Sequence, residues 1–159
     1  MGLRYPDQKD HNCFFITTNY KDRICYGNIP RFNESIIDSL VFYSTKYSAK
    51  ISGFVLMPSH IHLLIFIHGE RLSEFMRDFK KFISQKAAKI FNISSKHIWE
   101  AGFDKVAIES EKVFRVKLNY IHNNPVKAGI VKSVESYIWS SAVDYFTERK
   151  SLIEVWKDW

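Results

Sequence analysis

This sequence has little of what breaks, cross-links or embeds a chain. Its 159 residues include only four prolines, six glycines and two cysteines. Scarce proline and glycine together with 46% hydrophobic residues exclude a disordered chain and are the composition of a folded globular protein. Cys13 and Cys25 show neither metal-ligand nor redox spacing, which leaves buried or free thiols in a reducing cytoplasm. The longest apolar runs, around residues 54–56 and 61–67, are interrupted and too short to span a bilayer. Behind Met1-Gly2-Leu3-Arg4-Tyr5-Pro6 there is no apolar stretch of the kind a signal peptide needs. No internal repeat, low-complexity tract or linker interrupts the chain. The expectation is one soluble cytoplasmic domain over residues 1–159, with a core at about 12–131 and a tail at 132–159.

Acidic residues are also in deficit. Seventeen Asp and Glu face 23 Lys and Arg, giving a net charge of +6 and a pI near 9.3. That balance favours a polyanionic partner, most commonly a phosphate backbone. The 16% aromatic residues supply surfaces on which unpaired bases could stack. A basic surface that only confers solubility, over an aromatic core, is the plainer alternative.

What is present reads as an ordered series of elements. Cys13 to Thr18 is apolar and β-branched, a first strand. Asn33 is placed to cap a helix in which Ile36, Ile37, Leu40, Val41 and Tyr47 share one face. Ile51 to Leu56 and His60 to Ile67 read as two strands of a hairpin turning at Met57-Pro58-Ser59. In the next helix Leu72, Phe75, Met76, Phe79, Phe82, Ile83, Ala87 and Ile90 form an apolar stripe, opposite Arg77, Lys80, Lys81, Lys86 and Lys89. Short strands at Ile98-Trp99 and Val106-Ala107-Ile108 follow. A third helix runs from about Ser110 to Asn123, where Pro125 is expected to end it. The tail, with Tyr137, Trp139, Tyr145 and Trp156, is expected to pack as a helix or two. The order β-α-β-β-α-β is that of an α+β, ferredoxin-like split βαβ: an antiparallel sheet with helices on one face, plus a further C-terminal helix and tail.

Chemistry concentrates in two places. Alternation along the second hairpin strand puts His60 and His62 on one face and Ile61 and Leu63 on the other. Two imidazoles so placed can hold one side of a metal ion, or they can be a polar pair on a solvated face. In the third helix, Tyr120 and Asn124 are four residues apart and share a face if the helix reaches that far. Phe114, Leu118 and Ile121 make its apolar side and leave Tyr120 at the flank. That position fits either a half-buried side chain with a free hydroxyl or a core tyrosine at the helix edge, the commoner fate. His122 is turned away from Tyr120 and is expected at the surface or facing a nucleic acid. His68 and His97 have no evident partner and read as structural.

Four segments together resemble a known family. Met57-Pro58-Ser59-His60-Ile61-His62-Leu63-Leu64 resembles the metal-binding segment of the single-tyrosine transposases of the HUH endonuclease superfamily. Tyr120-Ile121-His122-Asn123-Asn124-Pro125-Val126-Lys127 resembles their tyrosine helix. Trp99-Glu100-Ala101-Gly102-Phe103-Asp104 and Tyr137-Ile138-Trp139-Ser140-Ser141-Ala142-Val143-Asp144-Tyr145 match two further signatures, in the same order. The pattern is more similar to the IS200-like branch associated with repetitive extragenic palindromes than to the compact insertion-sequence branch. The resemblance implies a metal-dependent single-stranded DNA endonuclease and strand transferase acting near hairpins. It implies Tyr120 as the nucleophile that forms a 5′-phosphotyrosine link, and His60, His62 and Asn124 as ligands of a divalent metal, Mg²⁺ or Mn²⁺. Arg77, Lys80, Lys81, Arg115, Lys117 and Lys127 become candidates for contact with DNA phosphates. Palindromic single-stranded DNA is the implied partner, no membrane is involved, and both a homodimer and a monomer are compatible. A non-catalytic single-strand binding module on the same fold, or a metal-dependent hydrolase using the two histidines and water, are the alternative readings.

Overall fold

A computed structural model describes residues 8–159, and Met1 to Asp7 lie outside the described residues. Its sheet is built from the four apolar, β-branched segments: β1 (Cys13–Asn19), β2 (Lys50–Leu56), β3 (His60–Phe66) and β4 (Asp104–Ala107). Their order is β2-β3-β1-β4, with every neighbouring pair antiparallel. This is the split βαβ arrangement expected from the element order. Helices α1 (Phe32–Lys46) and α2 (Gly69–Ile90) supply the two crossovers. Strand alternation then assigns each residue to a face. Phe14, Ile16, Phe54, Leu56, Ile61, Leu63 and Ile65 point into one core with α1 and α2. Phe15, Val55 and Leu64 point the other way, into a second core closed by Phe114, Leu118 and Ile121 of α3 (Glu111–Lys127).

Several boundaries differ from expectation, each for a local reason. Asn33 does not cap α1. Arg31 holds the cap position in a left-handed conformation, and Asn33 is buried inside the first turn, where its amide donates to the Gly27 carbonyl at 3.3 Å. Val41 faces solvent. In α2, Phe82 and Ile90 leave the buried stripe. Phe82 sits at its rim against the Tyr43 ring, and Ile90 lies exposed in the final turn. Ile98-Trp99 is no strand: Trp99 contributes a single bridge to Tyr20, while its indole Nε1 donates to the Lys80 carbonyl at 3.0 Å.

The most consequential difference is in α3. Pro125 does not end this helix, which continues to Lys127. A proline inside a helix removes one hydrogen bond, here to the carbonyl of Ile121, without necessarily stopping it. The stop comes from Gly129, which adopts a left-handed φ of +74°. The Gly129 N–H bonds the Val126 carbonyl at 3.0 Å and the Ile130 N–H bonds the Pro125 carbonyl at 2.9 Å, the paired bonds of a Schellman cap. Tyr120 and Asn124 therefore both lie within regular helix, one turn apart. At the other end Ser110 caps the helix through its hydroxyl, which accepts from the Val113 N–H at 3.3 Å.

Two features fix α3 on the sheet. Gly53 lies beside a bulge in β2, and a Cβ there would meet Leu118 Cδ1 at 2.7 Å. The missing side chain lets the helix sit close. The tail then crosses the open edge of β2. The Leu56 N–H donates to the Trp139 carbonyl, the Ser141 N–H to the Phe54 carbonyl and the Tyr137 hydroxyl to the Leu56 carbonyl, at 2.8, 3.0 and 2.6 Å. The Tyr145 hydroxyl reaches the Ser52 carbonyl at 2.7 Å. The tail holds one α-helix, α4 (Ala142–Phe146), after a short 3-10 turn at Val134–Ser136. Among the described residues, no helix is long and apolar enough to cross a membrane.

Candidate active site

The face of the sheet under α3 carries the two histidines. His62 is opposite Thr17 on β1 and Val55 on β2, and His60 is opposite Asn19. The His62 ring stacks on Phe15, with centroids 5.3 Å apart, and meets the edge of His60 at 4.8 Å. Its Nδ1 is 2.9 Å from the Thr17 hydroxyl, while its buried Nε2 has no hydrogen-bond partner. The Nδ1 of His60 is likewise engaged, 3.1 Å from the Ser59 hydroxyl. In the tautomer in which each Nδ1 donates to its hydroxyl, the Nε2 lone pairs are the ones left to bind something else.

Electrostatics keep both rings neutral. Burial pushes His62 down to about 3, and the charges of His60, Arg23 and Lys117 act in the same direction, against a hydrogen bond to the Ile16 backbone. Burial, followed by the charge of Arg23, lowers His60 to about 4. At neutral pH both are uncharged imidazoles, the form that coordinates metals.

Tyr120 comes to this place from α3 of the same chain. Its ring packs edge-on to His62 at 5.3 Å and to Phe15 at 5.8 Å, yet the residue is 44% exposed. One face is thus fixed against the histidine and the rest is accessible. One turn earlier, the half-buried Lys117 holds its ammonium 4.7 Å from the centroid of the Phe15 ring. One turn later comes the half-buried Asn124. Among the described residues no cluster of three or more His, Cys, Asp or Glu could hold a metal. A third protein ligand beside the two imidazoles would have to be of another type, and the Asn124 amide is of that kind.

The other candidate residues are distributed differently. Arg115 and Lys127 share α3 with Tyr120, and Arg115 is paired with Glu111 at 2.6 Å. Arg77, Lys80 and Lys81 stand on α2, which packs on the opposite face of the sheet. Arg77 is bound to Asp78 at 3.0 Å. Lys80 donates to the carbonyls of Glu100 and Gly102, at 3.0 and 2.5 Å, and desolvation lowers it to about 8. His122 is not at the surface. It points away from Tyr120 but inward, 1% exposed, with Nε2 2.8 Å from the Ser141 hydroxyl. Its polar neighbour comes from the tail, which is why the helix alone gave no sign of it. His68 caps α2 by accepting from the Glu70 N–H at 3.4 Å, a structural role. Thr17 and Phe15 escaped the sequence reading because only strand register brings them to His62, whereas Ser59 precedes His60 directly and its hydroxyl reads in the sequence only as part of the hairpin turn.

The model of the family "Transposase IS200 like" matches residues 10–124. The REP-associated tyrosine transposase of Escherichia coli K12 is 30% identical over 94 residues, which cover 58% of this chain and 53% of that protein. The chain thus spans about half the length of this curated relative. The structure of a REP-associated tyrosine transposase bound to a REP hairpin superposes with a TM-score of 0.71 at 25% identity, covering 82% of this chain and 76% of the other. A candidate transposase of Deinococcus radiodurans R1 shares the fold, with a TM-score of 0.53 at 15% identity over 77% and 94% of the two chains. With the family model matched over residues 10–124, the chain belongs to the IS200-like transposase family.

Proposed function

We propose that the protein cuts and rejoins single-stranded DNA beside hairpins, through a covalent link to Tyr120. The observation that carries this reading is the half-exposed Tyr120 ring held against a buried His62 whose Nε2 has no protein partner. The Tyr120 oxygen attacks the phosphorus of a phosphodiester and forms an O–P bond. The bond from phosphorus to the 3′-oxygen breaks, the phenol proton passes to water, and the departing oxygen takes up a proton as a 3′-hydroxyl. Attack by another 3′-hydroxyl reverses the step and frees Tyr120, so no nucleoside triphosphate is consumed.

The residues fit a divalent ion: two neutral imidazoles fixed on a strand, the orphaned Nε2 of His62, and the Asn124 amide one turn beyond Tyr120. His60, His62 and Asn124 would hold it, and when bound it would neutralise charge on the phosphate oxygens. Manganese tolerates imidazole more readily than magnesium does. The chain's own contribution is to orient. Phe15 and His62 fix the Tyr120 ring, Thr17 and Ser59 fix the imidazoles, and Lys117 adds positive charge beside them. Lys127 and Arg115 lie along the same helix, where DNA approaching Tyr120 would pass. Because tyrosine and histidines come from one chain, a monomer is able to assemble the site. The hairpin in the related complex supports a structured single strand as partner.

The test is incubation of the protein with labelled single-stranded hairpin oligonucleotides and Mn²⁺, followed by denaturing electrophoresis. A denaturation-resistant adduct is expected from the wild type and none from Tyr120→Phe, with binding of the oligonucleotide changed less than about threefold, since one hydroxyl is a small part of such an interface. A Phe variant that still forms the adduct removes Tyr120 from the reaction. Hairpin binding without any adduct from the wild type would favour the non-catalytic reading.

A further inference from the structure

The segment after β1 is built with unusual backbone geometry. Asp22 and Arg23 are consecutive non-glycine residues with φ of +53° and +57°, in the left-handed region. Such conformations persist where surrounding contacts over-determine them, and they gather at functional sites. The contacts are present here. The fully buried Tyr20 anchors the segment, and the Tyr20 N–H donates to the Ser59 carbonyl at 3.0 Å. The Lys21 N–H reaches the Ile98 carbonyl at 2.9 Å, the Asp22 N–H reaches Glu100 Oε1 at 2.7 Å, and the Arg23 N–H turns back to the Tyr20 carbonyl at 3.1 Å. No glycine was used, and the bend returns residue 23 to the end of β1.

Arg23 there donates from Nη1 to Asn19 Oδ1 at 2.5 Å, and Asn19 is the cross-strand partner of His60. One of five guanidinium donors is thereby engaged, and among the described residues no carboxylate pairs with the side chain. The side chain is exposed, yet its charge acts on both His60 and His62. Lys117 approaches from α3 over the Phe15 ring, and its charge acts on His62. A phosphate placed for attack by Tyr120 would thus lie between two cations, one of them a planar fork suited to two non-bridging oxygens.

We infer that Arg23 is a catalytic residue of this site, binding the phosphate that Tyr120 attacks. This rests on the transesterification proposed above. As the Tyr120–phosphorus bond forms and the bond to the 3′-oxygen breaks, charge gathers on the non-bridging oxygens, and Arg23 meets it without moving. The left-handed turn and the Asn19 bond are what aim it.

The test measures single-turnover adduct formation on a labelled single-stranded hairpin with Mn²⁺ for wild type, Arg23→Ala, Arg23→Gln and Arg23→Lys, alongside oligonucleotide affinity and thermal melting. Loss of a preorganised donor to a developing oxyanion lowers the rate about 100-fold. Arg23→Ala and Arg23→Gln are expected to show that loss, with affinity weakened less than about tenfold, and Arg23→Lys to recover part of it by restoring charge without the fork. Added methylguanidinium should accelerate Arg23→Ala and leave the wild type unchanged, a response that a purely structural arginine would not give. Adduct formation by Arg23→Ala at the wild-type rate overturns the inference. So does a slow Arg23→Ala that neither lysine nor methylguanidinium restores. If the wild type binds the hairpin but forms no adduct, the transesterification reading itself falls, and the role of Arg23 in it falls with it.

Discussion

At the residue scale the site depends on which nitrogen of each histidine is occupied. Thr17 and Ser59 hold the two Nδ1 atoms and leave Nε2 of His62 buried without a protein partner. Partners of this kind set ring orientation and basicity, and their loss weakens metal binding by about 10- to 100-fold. Thr17→Val keeps the shape of the side chain and removes the hydroxyl. It is expected to weaken Mn²⁺ binding about tenfold or more by electron paramagnetic resonance titration, while Phe15→Leu should leave metal affinity nearly intact and slow adduct formation by loosening Tyr120. Equal Mn²⁺ affinity in Thr17→Val and wild type would show that the hydroxyl does not orient His62. The His60-x-His62 pair and Tyr120 were legible as chemistry in the linear sequence. Their supporting shell was not, because Thr17 is 45 residues from His62 and meets it only through strand register.

At the scale of elements, two contacts set the frame around that site. Gly53 allows α3 to lie close to β2, so Gly53→Val forces a methyl pair into space that Leu118 occupies. Overpacking of this type destabilises by about 1–3 kcal/mol. The expected result is a lower melting temperature and slower adduct formation, both partly restored by adding Leu118→Ala. On the other face, α1 and α2 are clasped by Asp78, which accepts from the Tyr47 hydroxyl at 2.5 Å and from Lys46 at 3.2 Å, beside Arg77. The hydrogen bond from Tyr47 leads the causes that hold the Asp78 carboxyl down at about 2, below its ordinary 3.8. A carboxylate with a depressed folded-state pKa contributes stability above its unfolded value and loses it as pH falls through the folded one. Asp78→Asn should therefore melt below the wild type at pH 7, and the gap should close as pH falls from about 4 towards 2. A gap that does not change with pH would mean that the charge of Asp78 is not what clasps the helices.

At the scale of the whole molecule, the tail is part of the construction of the site. It shields the free edge of β2 through Tyr137, Trp139, Ser141 and Tyr145, and through Ser141 it reaches His122 on the tyrosine helix. An open strand edge is a template for association between chains. A chain ending at residue 133 is expected to aggregate and to form no adduct, measured by light scattering and denaturing electrophoresis; a monodisperse, active truncation would show that the tail is dispensable. The sequence by itself determined the element order, the strand alternation that puts both histidines on one face, and the basic, aromatic composition. These are properties of neighbouring residues, set by period and charge. It misplaced the end of α3, because Pro125 is a strong local signal whereas the stop at Gly129 depends on a closing turn. It also left His122 at the surface, and it had the tail packing as a helix or two without indicating the strand edge that the tail covers. Only the tertiary structure decided that His122 is buried on Ser141, that Trp-Ser-Ser-Ala covers a strand edge, and that Arg23 returns beside His60. Each of those outcomes joins segments distant in sequence through register and packing, and no local periodicity encodes such a meeting.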